Sequence, residues 1–507
     1  MVCPHCRGRD EVPRFQGCAH RLPSMSPALN VLVLMSDEHN PKFLGCAGHP
    51  FIQTPNLDRL AAAGTRFTSA YTCSPICVPA RAAFATGRYV HEIGFWDNAD
   101  AYDGRVPSWH HVLREAGHEA VSIGKLHFRG QRGDDHGWSQ EVLPMHVIEG
   151  IGDVKGLVRE RIPVRRGGEK MAKLAGPGES TYTRYDHEIA SSACDWLARA
   201  AQQPKRKPWV LFVSLVCPHF PLTAPQRWYD HYHAMDLPQP KRYAHADRPR
   251  HPYTDEYARV VDYDTHFHDE ADVKRAVAGY SGLVSAMDEQ VGRVMSALQS
   301  HGLAERTLVI YTSDHGDNLG ARGLWGKSTM FEESAGVPMI LSGPGIPAGQ
   351  VCAQPVSHVD CATTILAAAG APALADAPGH DLADLARGGR AQRPVLSEYH
   401  AIGSTGGATM LRHGPWKYCH YVDKPPQLFH LVEDPEELHD RADDPSCAPA
   451  LADCEAELRR WLVPEEVDRR AKQRQRELLD RFGGREQALA RGDLGFTPAP
   501  GTAPAFD

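Results

Sequence analysis

The chain contains nothing approaching the roughly 18 consecutive apolar residues that a membrane-spanning helix requires, although 42% of its 507 residues are hydrophobic. Its first 25 residues are rich in Cys, His and Arg and lack the apolar core of a secretion signal. These two absences point to a cytoplasmic protein with no membrane partner. Long blocks of like charge are also missing. The formal net charge of -8 is spread over mixed acidic and basic residues, which excludes a surface built to grip nucleic acid or an anionic membrane. There is no internal repeat. The 13 cysteines are scattered, and without a secretion signal they do not read as a disulfide framework; most read as small buried hydrophobes.

What is present is an alternation of strands and helices. Asn30 to Met35 (NVLVLM) has the length and β-branching of a buried parallel strand. Similar runs occupy Trp209 to Val216, Thr307 to Thr312 and Pro338 to Ser342, with helical patterns such as His187 to Ala200 and Asp272 to Gln299 between them. This predicts an α/β fold: a large, mostly parallel sheet flanked by helices, carried by residues 28–392. In such sheets ligands gather at the carboxyl ends of strands, so Asp37, His219 and Asp314, each just after a predicted strand, are candidates for one cleft.

An Ala, Gly, Pro and Asp-rich stretch from Gly370 to Arg393 reads as a linker or a loose excursion. Beyond it, residues 393–485 read as a smaller α+β domain of short strands followed by charged helices, and 486–507 as an extended tail. The helical run Pro464 to Phe482 is either a solvated face or a contact in a homo-oligomer. Residues 1–27 read as a disordered extension; Cys3, His5, Cys6, Cys18 and His20 are zinc-ligand types, but their spacing and the lack of a core argue against a folded zinc site.

The chemistry concentrates in Cys77-Val78-Pro79-Ala80-Arg81, followed after four residues by Thr86-Gly87-Arg88. Proline suits the first turn of a helix, so residue 77 is predicted at a helix N-terminus, where free amides and the dipole favour an anionic oxygen, with Arg81 a permanent cation one turn on. The bland alternative, a free thiol at a helix start, is disfavoured by the length of the motif. A phosphate-wrapping cysteine loop needs five residues between Cys and Arg, and here there are three. Cys73, with Cys77 where an arginine would be needed, reads as structural.

This run resembles the signature of the formylglycine-dependent sulfatases of the alkaline phosphatase superfamily, C-x-P-x-R followed by T-G-R. A second block, Ser313-Asp314-His315-Gly316-Asp317 to Gly323-Leu324-Trp325-Gly326-Lys327, resembles that of choline sulfatases, arylsulfatases and phosphonate monoester hydrolases. Gly124-Lys125-Leu126-His127 and Pro218-His219-Phe220-Pro221 match two further family blocks, and the resemblance extends through Asp434-Pro435-Glu436-Glu437.

The resemblance implies hydrolysis of sulfate monoesters through a covalent sulfo-enzyme intermediate, with phosphonate monoesters or phosphodiesters as the alternative substrates. It implies that a separate formylglycine-generating enzyme oxidises Cys77 to formylglycine. One divalent ion, Ca²⁺ or Mn²⁺, would be held by Asp37, Asp314, His315 and modified Cys77. Glu38 stands where the family often has Asp or Gln, and Asp317 reads as structural. Lys125 and Lys327 would meet sulfate oxygens, His127 would take the proton of the hydrated aldehyde, and His219 would protonate the departing oxygen. A silent scaffold that keeps the fold without the chemistry is disfavoured by the joint presence of these residues.

Overall fold

Every residue from Val31 to Asp37 is buried, as a strand covered on both faces requires, and in the computed structural model Asn30–Asp37 forms a central strand, β1. The structure describes residues 28–165, 167–203, 206–391 and 393–506; the expected extension over 1–27 lies outside the described residues. Seven further strands complete the main sheet: β2 (Gly64–Phe67), β3 (Ala120–Lys125), β4 (Gln140–Met145), β5 (Val210–Pro218), β6 (Thr307–Ser313), β7 (Met339–Ser342) and β8 (Gln350–Cys352). Their lateral order is β8, β2, β7, β6, β1, β5, β3, β4.

From β6 to β4 all neighbours are parallel. β7 runs antiparallel to both β6 and β2, unlike the parallel strand that its apolar run suggested. The reason is the connection: the chain leaves β6, stays at its carboxyl end through residues 314–338, and so re-enters the sheet from that same end.

Alternation along each strand feeds two cores. Leu32, Leu34, Leu211 and Val213 pack with two helices, α2 (Thr181–Gln202) and α3 (Glu270–Ser300). Val31, Val33, Met35, Val210 and Phe212 face Phe84 of helix α1 (Cys77–Thr86) and Ile365 of helix α4 (His358–Ala369). At about 1.5–3 kcal/mol for each large apolar side chain removed from water, this double burial makes the sheet a rigid platform. Its register sets Ser36 beside Ser313 and Asp37 beside Pro218. The carboxyl ends of β1, β5 and β6 are therefore level.

The stretch from Gly370 to Arg393, expected as a linker or a loose excursion, contains a short helix, α5 (Leu382–Ala386), whose Leu382 and Leu385 are part of the core. An antiparallel meander follows, β9 (Val395–Tyr399), β10 (Ala408–His413), β11 (Trp416–Tyr421) and β12 (Gln427–His430). Helices α6 (Ala448–Trp461), α7 (Pro464–Phe482) and α8 (Arg485–Ala490) come after it. The charged α7 buries Val467, Ala471 and Gln475 and pairs Arg474 with Asp100, so one of its faces packs on this same chain.

Among the described residues after α8 there is no helix or strand, but the segment is anchored. Asp493 pairs with Lys155 at 2.6 Å and with Arg165 at 2.7 Å, and the Phe496 ring packs edge-on against Tyr182 and Phe220.

Candidate active site

Ile76 is extended and Cys77 is the first residue of α1, which ends at Gly87 with φ 62°, a left-handed stop that glycine adopts without a Cβ penalty. Residue 77 thus stands at a helix N-terminus, as its motif predicted. One of the free amides there, on Val78, donates to Asn98 Oδ1 at 3.2 Å.

The carboxylates arrive from the strand ends. Asp37 closes β1, and Asp314 and His315 follow β6; with Cys77 they offer ligand atoms all within 4.8 Å of one another, and all four are buried. His315 Nε2 lies 3.1 Å from Cys77 Sγ, 3.6 Å from Asp314 Oδ1 and 3.9 Å from Asp37 Oδ1. Its Nδ1 faces the Gly316 carbonyl at 3.0 Å, which favours the tautomer whose Nε2 lone pair points into the cluster. Two carboxylates, a correctly turned imidazole and complete burial fit a divalent ion.

Arg81 does something other than its motif suggested. Instead of presenting a free cation to a substrate anion, it is buried and spends its donors on the protein. Nε donates to Asp314 Oδ2 at 2.8 Å and Nη2 to Asp37 Oδ2 at 2.9 Å, while Nη1 donates to the Lys125 carbonyl and to Ser214 Oγ. It bridges two acidic strand ends and orients both. Arg81→Lys, which keeps the charge but cannot span both carboxylates, is expected to weaken divalent-metal affinity about 10- to 100-fold. Metal titration of the purified variant measures this, and unchanged affinity would contradict it.

Lys125, the last residue of β3, sits 2.5 Å from Asp37 Oδ2 as a fully buried ion pair. Burial raises the pKa of Asp37, but the Lys125 and Arg81 charges outweigh it and hold the group well below the usual carboxylate range. His127 lies beyond the strand end in the left-handed backbone region, φ 53°. It lines the same cavity as Cys77, and neither ring nitrogen has a hydrogen-bond partner in the protein. Burial, and then Lys125, lower its pKa well below the ordinary value, so the ring is neutral near pH 7.

On the opposite wall, His219 Nδ1 meets the Phe220 carbonyl at 2.7 Å and Nε2 lies 2.7 Å from Lys327 Nζ. Burial and Lys327 keep this ring neutral as well. Lys327 in turn pairs with Glu38 at 3.0 Å. Glu38 holds a left-handed backbone, φ 65°, and its amide donates to Asp314 Oδ1 at 3.2 Å. Burial pushes its carboxyl up to about 8 against the pull of Lys327. The Cys77 thiol is likewise pushed up to about 12 by burial and the Asp37 charge, which opposes a thiolate nucleophile in the protein alone.

Three contributors carried no signal in the sequence: Asn98, Ser214 and Asp186. The last accepts from the Val216 and Cys217 amides at 2.7 and 2.9 Å and so fixes the strand end that presents His219. Asp317 accepts from the Leu319 and Gly326 amides, a turn-holding role that matches its structural reading, and Cys73 is buried in the core.

A sheet of this topology, with buried acid, imidazole and lysine groups gathered at its carboxyl edge, places the chain in the alkaline phosphatase-like fold class. Within that class the chain belongs to the sulfatase family, whose model matches residues 29–371, and it is a sulfuric ester hydrolase. A second model, described as N-sulphoglucosamine sulphohydrolase, C-terminal, matches residues 320–463. A choline-sulfatase of Rhizobium meliloti is 32% identical over 425 residues, covering 82% of this chain and 83% of its own. Arylsulfatase K of Danio rerio is 29% identical over 440 residues, covering 82% and 80%. Among solved structures, a phosphonate monoester hydrolase of Agrobacterium radiobacter aligns with a TM-score of 0.68 at 22% identity, covering 85% of this chain and 94% of its own. Among the described residues no helix is long and apolar enough to cross a membrane.

Proposed function

We propose that the chain hydrolyses small sulfate monoesters with residue 77, converted from cysteine to formylglycine by a separate maturation enzyme, as its nucleophile. The observation that carries this reading is the placement of Cys77 at a helix N-terminus among Asp37, Asp314 and His315, with Lys125, His127, His219 and Lys327 around it. Asp37, Asp314, His315 and the side chain at 77 would hold one divalent ion, Ca²⁺ or Mn²⁺, which when bound supplies Lewis-acid stabilisation of charge and a more acidic nucleophile.

Hydrated formylglycine has two hydroxyls on one carbon. One attacks sulfur and displaces the alcohol; loss of a proton from the other re-forms the carbonyl and expels sulfate. His127, whose neutral ring has no hydrogen-bond partner in the protein, takes that proton, and Lys125 neutralises a sulfate oxygen. Because Lys327 Nζ donates to His219 Nε2, the proton for the departing alkoxide comes from this pair and not from His219 alone.

Parallel kinetics on an aryl sulfate, choline sulfate and a phenyl phosphonate ester test the substrate class. A higher kcat/KM on the phosphonate would replace the sulfate reading by phosphonate monoester hydrolysis.

His219→Ala is expected to slow esters of poor leaving groups by about 10²- to 10⁴-fold and nitrophenyl sulfate far less, since only the former need their alkoxide protonated. A leaving-group series reads this out, and equal losses across it would reduce His219 to a structural role.

A further inference from the structure

One other set of ligand-type side chains converges among the described residues without sharing a member with the catalytic cluster: His136, Glu141 and His146. All three lie on the excursion that leaves β3 past His127 and returns as β4. Glu141 is on β4, His146 directly follows it, and His136 is in the loop before it. His136 Nδ1 is 2.8 Å from Glu141 Oε1, and His146 Nε2 is 3.2 Å from Glu141 Oε2. Each ring therefore turns one nitrogen on the same carboxylate, and the three ligand atoms lie within 4.8 Å of one another.

The surroundings hold the rings in place. His136 is buried, 5.1 Å centroid to centroid from Phe128, and Gly130, at φ 64°, leaves room for His146, since a Cβ there would come within 2.4 Å of the ring. The side chains of Glu141 and His146 are 23% and 21% exposed, which leaves an entry path.

Two imidazoles and one carboxylate make the donor set of a tetrahedral ion that keeps one position for water. Ca²⁺, which takes six to eight oxygens, is poorly served by it. Zinc bonds of about 2.0–2.1 Å require donors about 3.3 Å apart; the His146 pair already stands near that spacing, and the His136 pair needs to open by a few tenths of an ångström. We propose that His136, Glu141 and His146 bind Zn²⁺ or a similar borderline divalent ion, as a structural clip that ties the loop after β3 to β4. The same loop begins with His127, whose amide donates to the Met145 carbonyl at 2.8 Å, and the Val147 amide donates to the Phe128 carbonyl at 3.0 Å. His127 and Val147 both line the catalytic cavity, so the ion would steady that wall from behind.

The site does not depend on the state of residue 77, and the test keeps the two metal centres apart. Full-length His315→Ala protein, with the catalytic cluster impaired, is stripped with a chelator and titrated with Zn²⁺ by calorimetry, with metal content measured after dialysis. One equivalent of tightly held zinc is expected, together with a zinc-dependent rise in Tm. Adding Glu141→Gln, which preserves size, or His146→Ala should remove that equivalent or weaken it at least about tenfold, and abolish the zinc-dependent part of the Tm. If His315→Ala protein retains no zinc, or if the Glu141→Gln double variant retains as much with equal affinity, the clip does not exist.

Discussion

Cys77→Ser protein, produced alongside the maturation enzyme, is expected to lose multiple turnover by on the order of a thousandfold or more while keeping its fold. The fold is expected to survive because the side chain at 77 makes no core contact that oxygen cannot replace. Its partners are His315 Nε2 at 3.1 Å and, more loosely, Asp37 Oδ1 at 3.8 Å, both competent toward a hydroxyl. Turnover is lost for a chemical reason. A serine oxygen at the same helix N-terminus can accept the sulfuryl group, but the carbon that bears it has no second hydroxyl from which to re-form a carbonyl and expel sulfate. Mass spectrometry of the variant after exposure to substrate should show a sulfated serine. The wild-type peptide spanning residue 77 should carry the aldehyde in place of the thiol. Normal turnover by Cys77→Ser, or active wild-type protein with an unmodified thiol, would overturn the proposed nucleophile and leave metal-activated water in its place.

Much of this site is legible in the chain because its groups lie in short motifs at strand ends. Asp37 and Asp314 each follow an unmistakable apolar run, and parallel strands in level register must bring such positions to one edge. Arg81 was legible in position but not in role. A cation one turn into a helix looks like an anion receptor until two buried carboxylates, from residues 44 and 233 positions away along the chain, are seen to consume it. Asn98, Ser214 and Asp186 belong to no motif, and their contacts arise only when distant segments pack. The terminal segment reads as an extended tail from its Pro, Ala and Gly content, and its anchoring was hidden: Asp493 finds Lys155 and Arg165 far upstream, and Phe496 packs beside the cavity. The antiparallel entry of β7 was equally hidden, because an apolar run has the same pattern in either direction.

His315→Ala is expected to release the catalytic ion and with it most of the turnover. It is a sharper probe than Asp314→Asn, because Asp314 also neutralises Arg81, and breaking a buried ion pair by removing one partner costs roughly 3–5 kcal/mol of stability. That loss would confuse a folding defect with a metal defect. His315 carries no such duty: its ring contacts are Cys77, the Gly316 carbonyl and the nearby carboxylate oxygens of Asp37 and Asp314, so truncation leaves a small cavity but no orphaned charge. Asp37 and Asp314 stay tied to Arg81, and the sheet edge keeps its shape. Metal content by mass spectrometry should therefore fall while circular dichroism is unchanged. Turnover should drop by at least about 100-fold, and excess Mn²⁺ should recover part of it, since three of the four ligands remain. Full activity in metal-depleted His315→Ala protein would remove the ion from the mechanism altogether.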